Sequence, residues 1–311
     1  MSLQRSKGIP ADGVYRGVLL AAATSVFLVV ALIVFESAKG ASLSLRTFGW
    51  GFLTGTEWDP VADKFGALPY IYGTLVTSAI ALVLAVPIGI GSAVYLAELA
   101  HRRVGGFISF LMELLAAVPS IVYGIWGFFV LAPFLRNAVE PWLIQHFGFL
   151  PLFRGAPFGI GILNAGIILA IMIVPTIISI SREVLLATPQ ALREASLALG
   201  ATRAESIGVA LDAARPGILG SIILALGRSL GETMAVTMVI GNTNRITGSL
   251  LSPGATMASV IANEFTEATG AVYLSALVEI ALVLFAVTIV VNAIARVLVH
   301  WATGGRREAV A

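Results

Sequence analysis

The chain has 311 residues, of which 19 are Lys or Arg and 17 are Asp or Glu. Only 12% of it is charged, about half the roughly 25% of a soluble domain, while 58% is hydrophobic. A soluble protein of this length could not bury so much apolar surface, and a disordered chain would not carry it. The composition therefore argues against a water-soluble enzyme or a nucleic-acid binder, and for an integral membrane protein.

The net charge of +2 names no acidic partner, and the absence of Cys removes disulfides, thiol catalysis and Cys-based metal sites. A membrane helix needs about 20 apolar residues, so uncharged stretches locate the spans. In chain order they run over 17–35, 70–96, 107–133, 158–180, 217–240 and 272–298, the third broken only by Glu113, the fifth by Arg228 and Glu232, and the sixth by Glu279 and, near its end, Arg296. Lipid offers no partner for open backbone, so each is read as a helix. Arg5, Lys7 and Arg16 precede the first, which reads as a retained signal-anchor because no small-residue cleavage site follows it. Pro87, Pro119 and Pro175 predict kinks inside their spans.

Basic residues set the expected orientation. With the N-terminus inside, the inner segments hold Arg5, Lys7, Arg16, Arg102, Arg103, Arg182, Arg193, Arg203, Arg215, Arg296, Arg306 and Arg307. The outer loops hold only Lys39, Arg46, Lys64, Arg136, Arg154 and Arg245. Both termini are thus expected in the cytoplasm. The layout is a short inner segment (1–16), a six-span all-α membrane domain (17–300) and an inner tail (301–311). Outer loops fall at about 37–68, 134–157 and 242–271, the first bringing Phe48, Trp50, Phe52 and Trp58 to the interface.

The inner loop 182–216 is dense in helix punctuation. Thr188 reads as an N-cap with Pro189 at the first helical position. The helix continues to Leu199 and Gly200 can end it in a left-handed conformation. Thr202 begins a second short helix, with Glu205 at capping-box spacing, and Pro216 opens the fifth span. Two short helices joined at a Gly-Ala-Thr corner serve equally as a connector or as a surface that takes force from a soluble partner.

The string Arg193-Glu-Ala-Ser-Leu-Ala-Leu-Gly-Ala-Thr202 resembles the EAA loop of bacterial ABC-importer permeases. Glu194, Ala195 and Gly200 match E-A-A-x-x-x-G, with Ser196 in place of the second Ala. Ala210-Leu-Asp-Ala213 stands where the family has I-x-L-P, so only the first helix and the corner are carried over. Phe52–Pro60, Gly66–Thr74, Pro119–Trp126 and Gly227–Ala235 narrow the resemblance to the PstC-type permeases of the phosphate-specific ABC importer, over residues 17–300. The resemblance implies a type I ABC-importer permease fold and no covalent chemistry in this subunit. It implies a homologous PstA-type permease, two PstB-type ATPase subunits and a PstS-type extracytoplasmic phosphate-binding protein as partners. The ATPase contact would fall on Arg193, Glu194, Ala195, Gly200, Ala201, Thr202 and Arg203.

Within the fifth span, Arg228 and Glu232 are four residues apart and are expected on one helix face. A lone charge there costs at least about 2.5–3.5 kcal/mol, so both should face protein or water. Gly227 and Gly231 at GxxxG spacing allow a close neighbouring helix. An ion pair that merely eases insertion would explain the two charges. The functional alternative is that Arg228 offers fork-shaped donors to a passing anion while Glu232 orients it. The resemblance puts this pair on the translocation path, with Ser229 and Thr233 beside it. Glu113 and Glu279 are also placed at membrane depth, in a structural role.

No Lys follows a Gly, so a phosphate-binding loop for ATP is impossible here and any ATP and Mg²⁺ belong to a partner chain. His101, His146 and His300 lie far apart, with no metal spacing. Gly227-Arg-Ser-Leu-Gly231 matches the G-x-S-x-G pattern, which makes an intramembrane serine hydrolase a rival reading, but no His is placed at depth to act as its base. An ion-driven secondary carrier is a second rival, against which the EAA-like loop argues. Among importers of this type, sulfate or molybdate is the nearest alternative cargo.

Overall fold

Residues 10–304 are described by a computed structural model, with side chains over 13–301 except that of Arg102. Most of the expected segments 1–16 and 301–311 lies outside the described residues; the parts inside, 10–16 and 301–304, continue the first and last helices. Helix α1 is Pro10–Gly40, followed by the short α2 (Ser42–Phe48) and α3 (Gly51–Thr54). A two-residue hairpin, β1 (Trp58–Asp59) with β2 (Lys64–Phe65), pairs Trp58 opposite Phe65. Then come α4 (Leu68–Leu99), α5 (Arg102–Ala116), α6 (Ser120–Phe147) and α7 (Ile162–Ala187). The chain ends with α8 (Gln190–Ala198), α9 (Arg203–Leu230), α10 (Met234–Val239), α11 (Met257–Glu264) and α12 (Ala271–Gly304). Six of these, α1, α4, α6, α7, α9 and α12, are long and apolar enough to cross a membrane.

The third span differs from the sequence expectation. The apolar run 107–133 is cut at Pro119, whose own backbone is extended (φ −57, ψ 137). A proline pushes the residue before it away from helical geometry, so Pro119 separates two helices where a kink was expected. Helix α5 takes the first part, and α6 crosses from Ser120 to Phe147, absorbing much of the expected outer loop 134–157. Two π-helical turns, at 127–131 and 135–139, widen α6. Glu113 consequently lies exposed on α5 and not inside a span.

The most extensive helix–helix contact is between α4 and α7. A Cβ on Gly89 would fall 2.6 Å from Ile177, and one on Gly166 would fall 2.5 Å from Ile80. Each helix thus takes an isoleucine of the other into a gap that only Gly leaves, the small-residue packing membrane helices rely on. The matched positions ascend together, so α4 and α7 run parallel. Helix α9 runs antiparallel to α7: Gly217 receives Val184, and Ser181 and Ser221 hydrogen bond at 2.9 Å. Pro216 lies inside α9, which is one continuous helix from the corner at Thr202, so it does not open a new span as the sequence suggested.

The main core lies among α4, α6, α7, α9 and α10, centred on Ile168, Leu169, Ile173 and Ile177. A second cluster joins the hairpin to the ends of α4, α11 and α12 through Phe52, Trp58, Phe65, Tyr70, Met257 and Tyr273. Trp58 packs edge-on against Phe65 and Tyr70, with centroids 4.9 and 5.0 Å away. Of the four aromatics expected at the interface, Phe52 and Trp58 are buried here, and Trp50 alone is fully in the open at 85% exposure. Helix α1 stands apart, with none of its central stretch buried.

Candidate translocation site and coupling corner

Helix α9 ends at Leu230, with Gly231 as its C-cap, and α10 begins at Met234. The fifth span is therefore broken at 231–233, and Arg228 and Glu232 do not share one helix face as the spacing predicted. Gly231 explains the position of the break: it has no side chain to hold the helical turn and high conformational freedom to lose. Glu232 turns toward α10, where its Oε1 accepts the Ala235 N–H at 3.3 Å. Thr237 donates its hydroxyl to the Thr233 carbonyl at 2.7 Å, and Thr233 donates its own to the Gly231 carbonyl at 3.3 Å. Gly227 faces Asn292 of α12, whose Nδ2 would lie 3.8 Å from an added Cβ. Asn292 is 21 residues into α12, about 32 Å along its axis. The break thus lies within the bundle and not at its rim.

Arg228, in the last turn of α9, is half-buried and within electrostatic range of Tyr123 on α6. It forms no ion pair with Glu232, and its guanidinium has no hydrogen-bond partner among the described residues. Its guanidinium donors are therefore not engaged by any described residue. Ser229 is buried on the same turn, and its hydroxyl has no partner among the described residues. It sits in a helix, not on a strand-to-helix elbow, and no histidine is bonded to it, so the G-x-S-x-G string has no nucleophile geometry.

Two more carboxyls are buried. Glu279 is 2% exposed on α12, beside the α2 corner, with Oε2 unpartnered. Glu140 is 1% exposed on α6, and its Oε2 accepts the Gly159 N–H at 2.9 Å. The sequence reading missed Glu140 because it placed 134–157 in a loop; the apolar residues flanking Glu140-Pro141 were the available signal.

The coupling corner follows its sequence signals closely. Pro189 is the residue ahead of α8 and not its first helical residue, one position later than expected. Gly200 takes the left-handed conformation at φ +88. Thr202 and Glu205 close a capping box: Glu205 accepts the Thr202 N–H at 2.7 Å and donates its own N–H to the Thr202 hydroxyl at 3.4 Å. Glu194, Ala195, Thr202 and Arg203 are exposed, Ala201 is half-buried, and Leu199 stands 90% exposed at the tip. Such an apolar tip on a polar corner is a docking surface in form.

Arg193 points the other way, into the protein. Its Nε donates to the two Glu98 carboxylate oxygens at 3.1 and 3.2 Å, and Nη2 donates to Oε1 at 2.5 Å. Glu98, in the final π-helical turn of α4, was not singled out from sequence. Its signal was its place as the charge that closes an uncharged span.

Comparison with known proteins decides the family. Residues 85–303 match the model of the binding-protein-dependent transport system inner membrane component. The phosphate transport system permease protein PstC of Mesorhizobium japonicum is 48% identical over 290 residues, covering 92% of this chain and 89% of that protein. PstC of Pasteurella multocida is 46% identical over 279 residues, covering 88% and 87%. The probable PstC of Methanocaldococcus jannaschii is 37% identical over 286 residues, covering 90% and 91%. The chain belongs to the PstC family of phosphate transport system permeases. It is a multi-pass membrane permease with six helices long and apolar enough to cross.

Proposed function

We propose that this permease forms half of the pathway of an ATP-driven phosphate importer, with Arg228 as the intramembrane anion contact. The observation that carries this is the unpartnered, half-buried guanidinium of Arg228 beside a broken transmembrane helix. Broken helices at membrane depth are where transporters place their cargo sites. Thr233 and Ser229 bring hydroxyls to the same break. Glu232 holds the start of α10, which fixes the break without quenching the charge on Arg228. A site of one arginine and a few hydroxyls binds enough to attract a phosphate and weakly enough to release it.

The other half of the pathway is a homologous PstA-type permease. Two PstB-type ATPase subunits hold ATP and Mg²⁺ and dock on the corner around 189–203, and a PstS-type protein delivers phosphate from outside. The corner and both termini face the cytoplasm, consistent with the excess of basic residues on that side. This subunit itself makes and breaks no covalent bond.

The test is uptake of radiolabelled phosphate by vesicles holding the complete transporter. Arg228→Gln is expected to abolish uptake while all subunits still copurify. Normal uptake in that variant would remove Arg228 from the pathway. Competition by sulfate and molybdate, run in parallel, separates a phosphate permease from one for another oxyanion.

A further inference from the structure

The Arg193 side chain uses all three guanidinium nitrogens inside the protein. Besides the bonds to Glu98, Nη1 donates to the Thr188 carbonyl and Nη2 to the Leu185 carbonyl, each at 2.9 Å. Arg203 adds a bond of 2.9 Å from its Nη2 to the Glu98 main-chain carbonyl. Four elements therefore meet at the Arg193–Glu98 pair: the end of α4, the end of α7, α8, and the start of α9. The Arg193 and Glu98 side chains are only 19% and 11% exposed, so this pair is not a solvent-screened surface bridge. Removing either partner would strand the other charge in a dry site.

Chain connectivity makes the contact consequential. Helix α8 is joined to α7 through Thr188-Pro189 and to α9 through the Gly200 corner, so motion of α8 reaches both by covalent links. Helix α4 ends 91 residues before α8 begins, and at the α8 end the bonds to Glu98 join α4 to the corner. We propose that Glu98 is a rigid joint that delivers displacement of α8 directly to α4, so that α8 and the adjoining ends of α4 and α7 move as one body. The joint rests on the reading that α8 takes its load from ATPase subunits. Arg193 then belongs on the inner side of the coupling corner as a positioning residue, not on the ATPase-contacting side.

The experiment uses the complete transporter in lipid vesicles with phosphate-loaded binding protein, and reads phosphate moved per ATP hydrolysed. Glu98→Gln and Arg193→Gln are expected to leave assembly and ATP hydrolysis in place and to lower that ratio by about tenfold. The chain has no Cys, so Glu98→Cys with Arg193→Cys can be bridged at that one place by a short bismaleimide. Bridging is expected to raise the ratio back toward wild type. An unchanged ratio in both Gln variants would overturn the joint. So would loss of uptake on bridging, which would mean that the pair opens during the cycle. Loss of ATPase binding in the variants would also overturn it, because the pair would then serve assembly. Absence of phosphate uptake in the wild-type complex is a separate outcome, and it would overturn the proposed function instead.

Discussion

Trp58 and Glu264, 206 residues apart, are joined by a hydrogen bond of 2.6 Å from the indole Nε1 to Oε2. Tyr273 donates its hydroxyl to the same oxygen at 2.7 Å. One carboxylate thus ties the β1–β2 hairpin, α11 and α12 together at the end of the bundle away from the coupling corner. Trp58→Phe keeps an aromatic ring in the cluster but removes one charge-assisted bond and leaves a small gap, and should cost at least about 1.5–3 kcal/mol. Glu264→Ala leaves two buried donors unpaired and should cost more. Thermal unfolding of the detergent-solubilised complex measures both, and equal stability of the two variants would show that the oxygen is not shared as described.

Gly166 tests the α4–α7 contact. Gly166→Ala places a methyl 2.5 Å from Ile80 Cγ2, inside van der Waals contact. Overpacking of this kind costs about 1–3 kcal/mol. Ile80→Ala in the same chain vacates the space, so the double variant should recover part of that loss. Additive destabilisation in place of recovery would place the clash elsewhere.

The corner at 200–202 depends on two local devices. Gly200→Ala puts a Cβ on a left-handed residue and should cost about 1–2 kcal/mol of corner stability. Thr202→Ala removes the cap of α9, worth about 0.5–2 kcal/mol. Both losses are local, so amide exchange should quicken at 203–206 while α7 keeps its protection. Unaltered exchange there in Thr202→Ala would show that the capping box does not hold the helix start.

At the broken span, Glu232 and Arg228 have separate tasks, and their variants should differ. Glu232→Gln keeps an oxygen for the Ala235 N–H, and phosphate uptake should stay within about tenfold of wild type. Arg228→Lys keeps the charge but loses the fork, and uptake should fall further than in Glu232→Gln. If Glu232→Gln abolishes uptake with the complex intact, the carboxylate charge itself serves transport.

The number of spans, their order and the coupling corner were legible because each rests on local signals. Charges are scarce in the spans, and Gly200, Thr202 and Glu205 set a turn, a cap and a box within six residues. Helix continuity was not legible on the same terms. Lipid compatibility is a property of composition, and 107–133 is equally apolar whether Pro119 bends a helix or ends one. The same applies to 217–240, where Gly231 stops α9 in the middle of an apolar run and so separates Arg228 from Glu232. Glu98 was hidden for a third reason: its partner lies 95 residues away, and no periodicity or motif connects the two.

The parallel course of α4 and α7 has a consequence for how the chain is built. Two helices that cross in the same direction cannot be joined by a short turn, so α6 has to cross back before α7 can enter. The gap that Gly89 leaves for Ile177 therefore has no protein occupant until α7 has been made. At about 5–20 residues per second of synthesis, the 88 residues from the end of α4 to the end of α7 take on the order of ten seconds. The most extensive seam of the finished permease closes only when the fourth of its six spans is made.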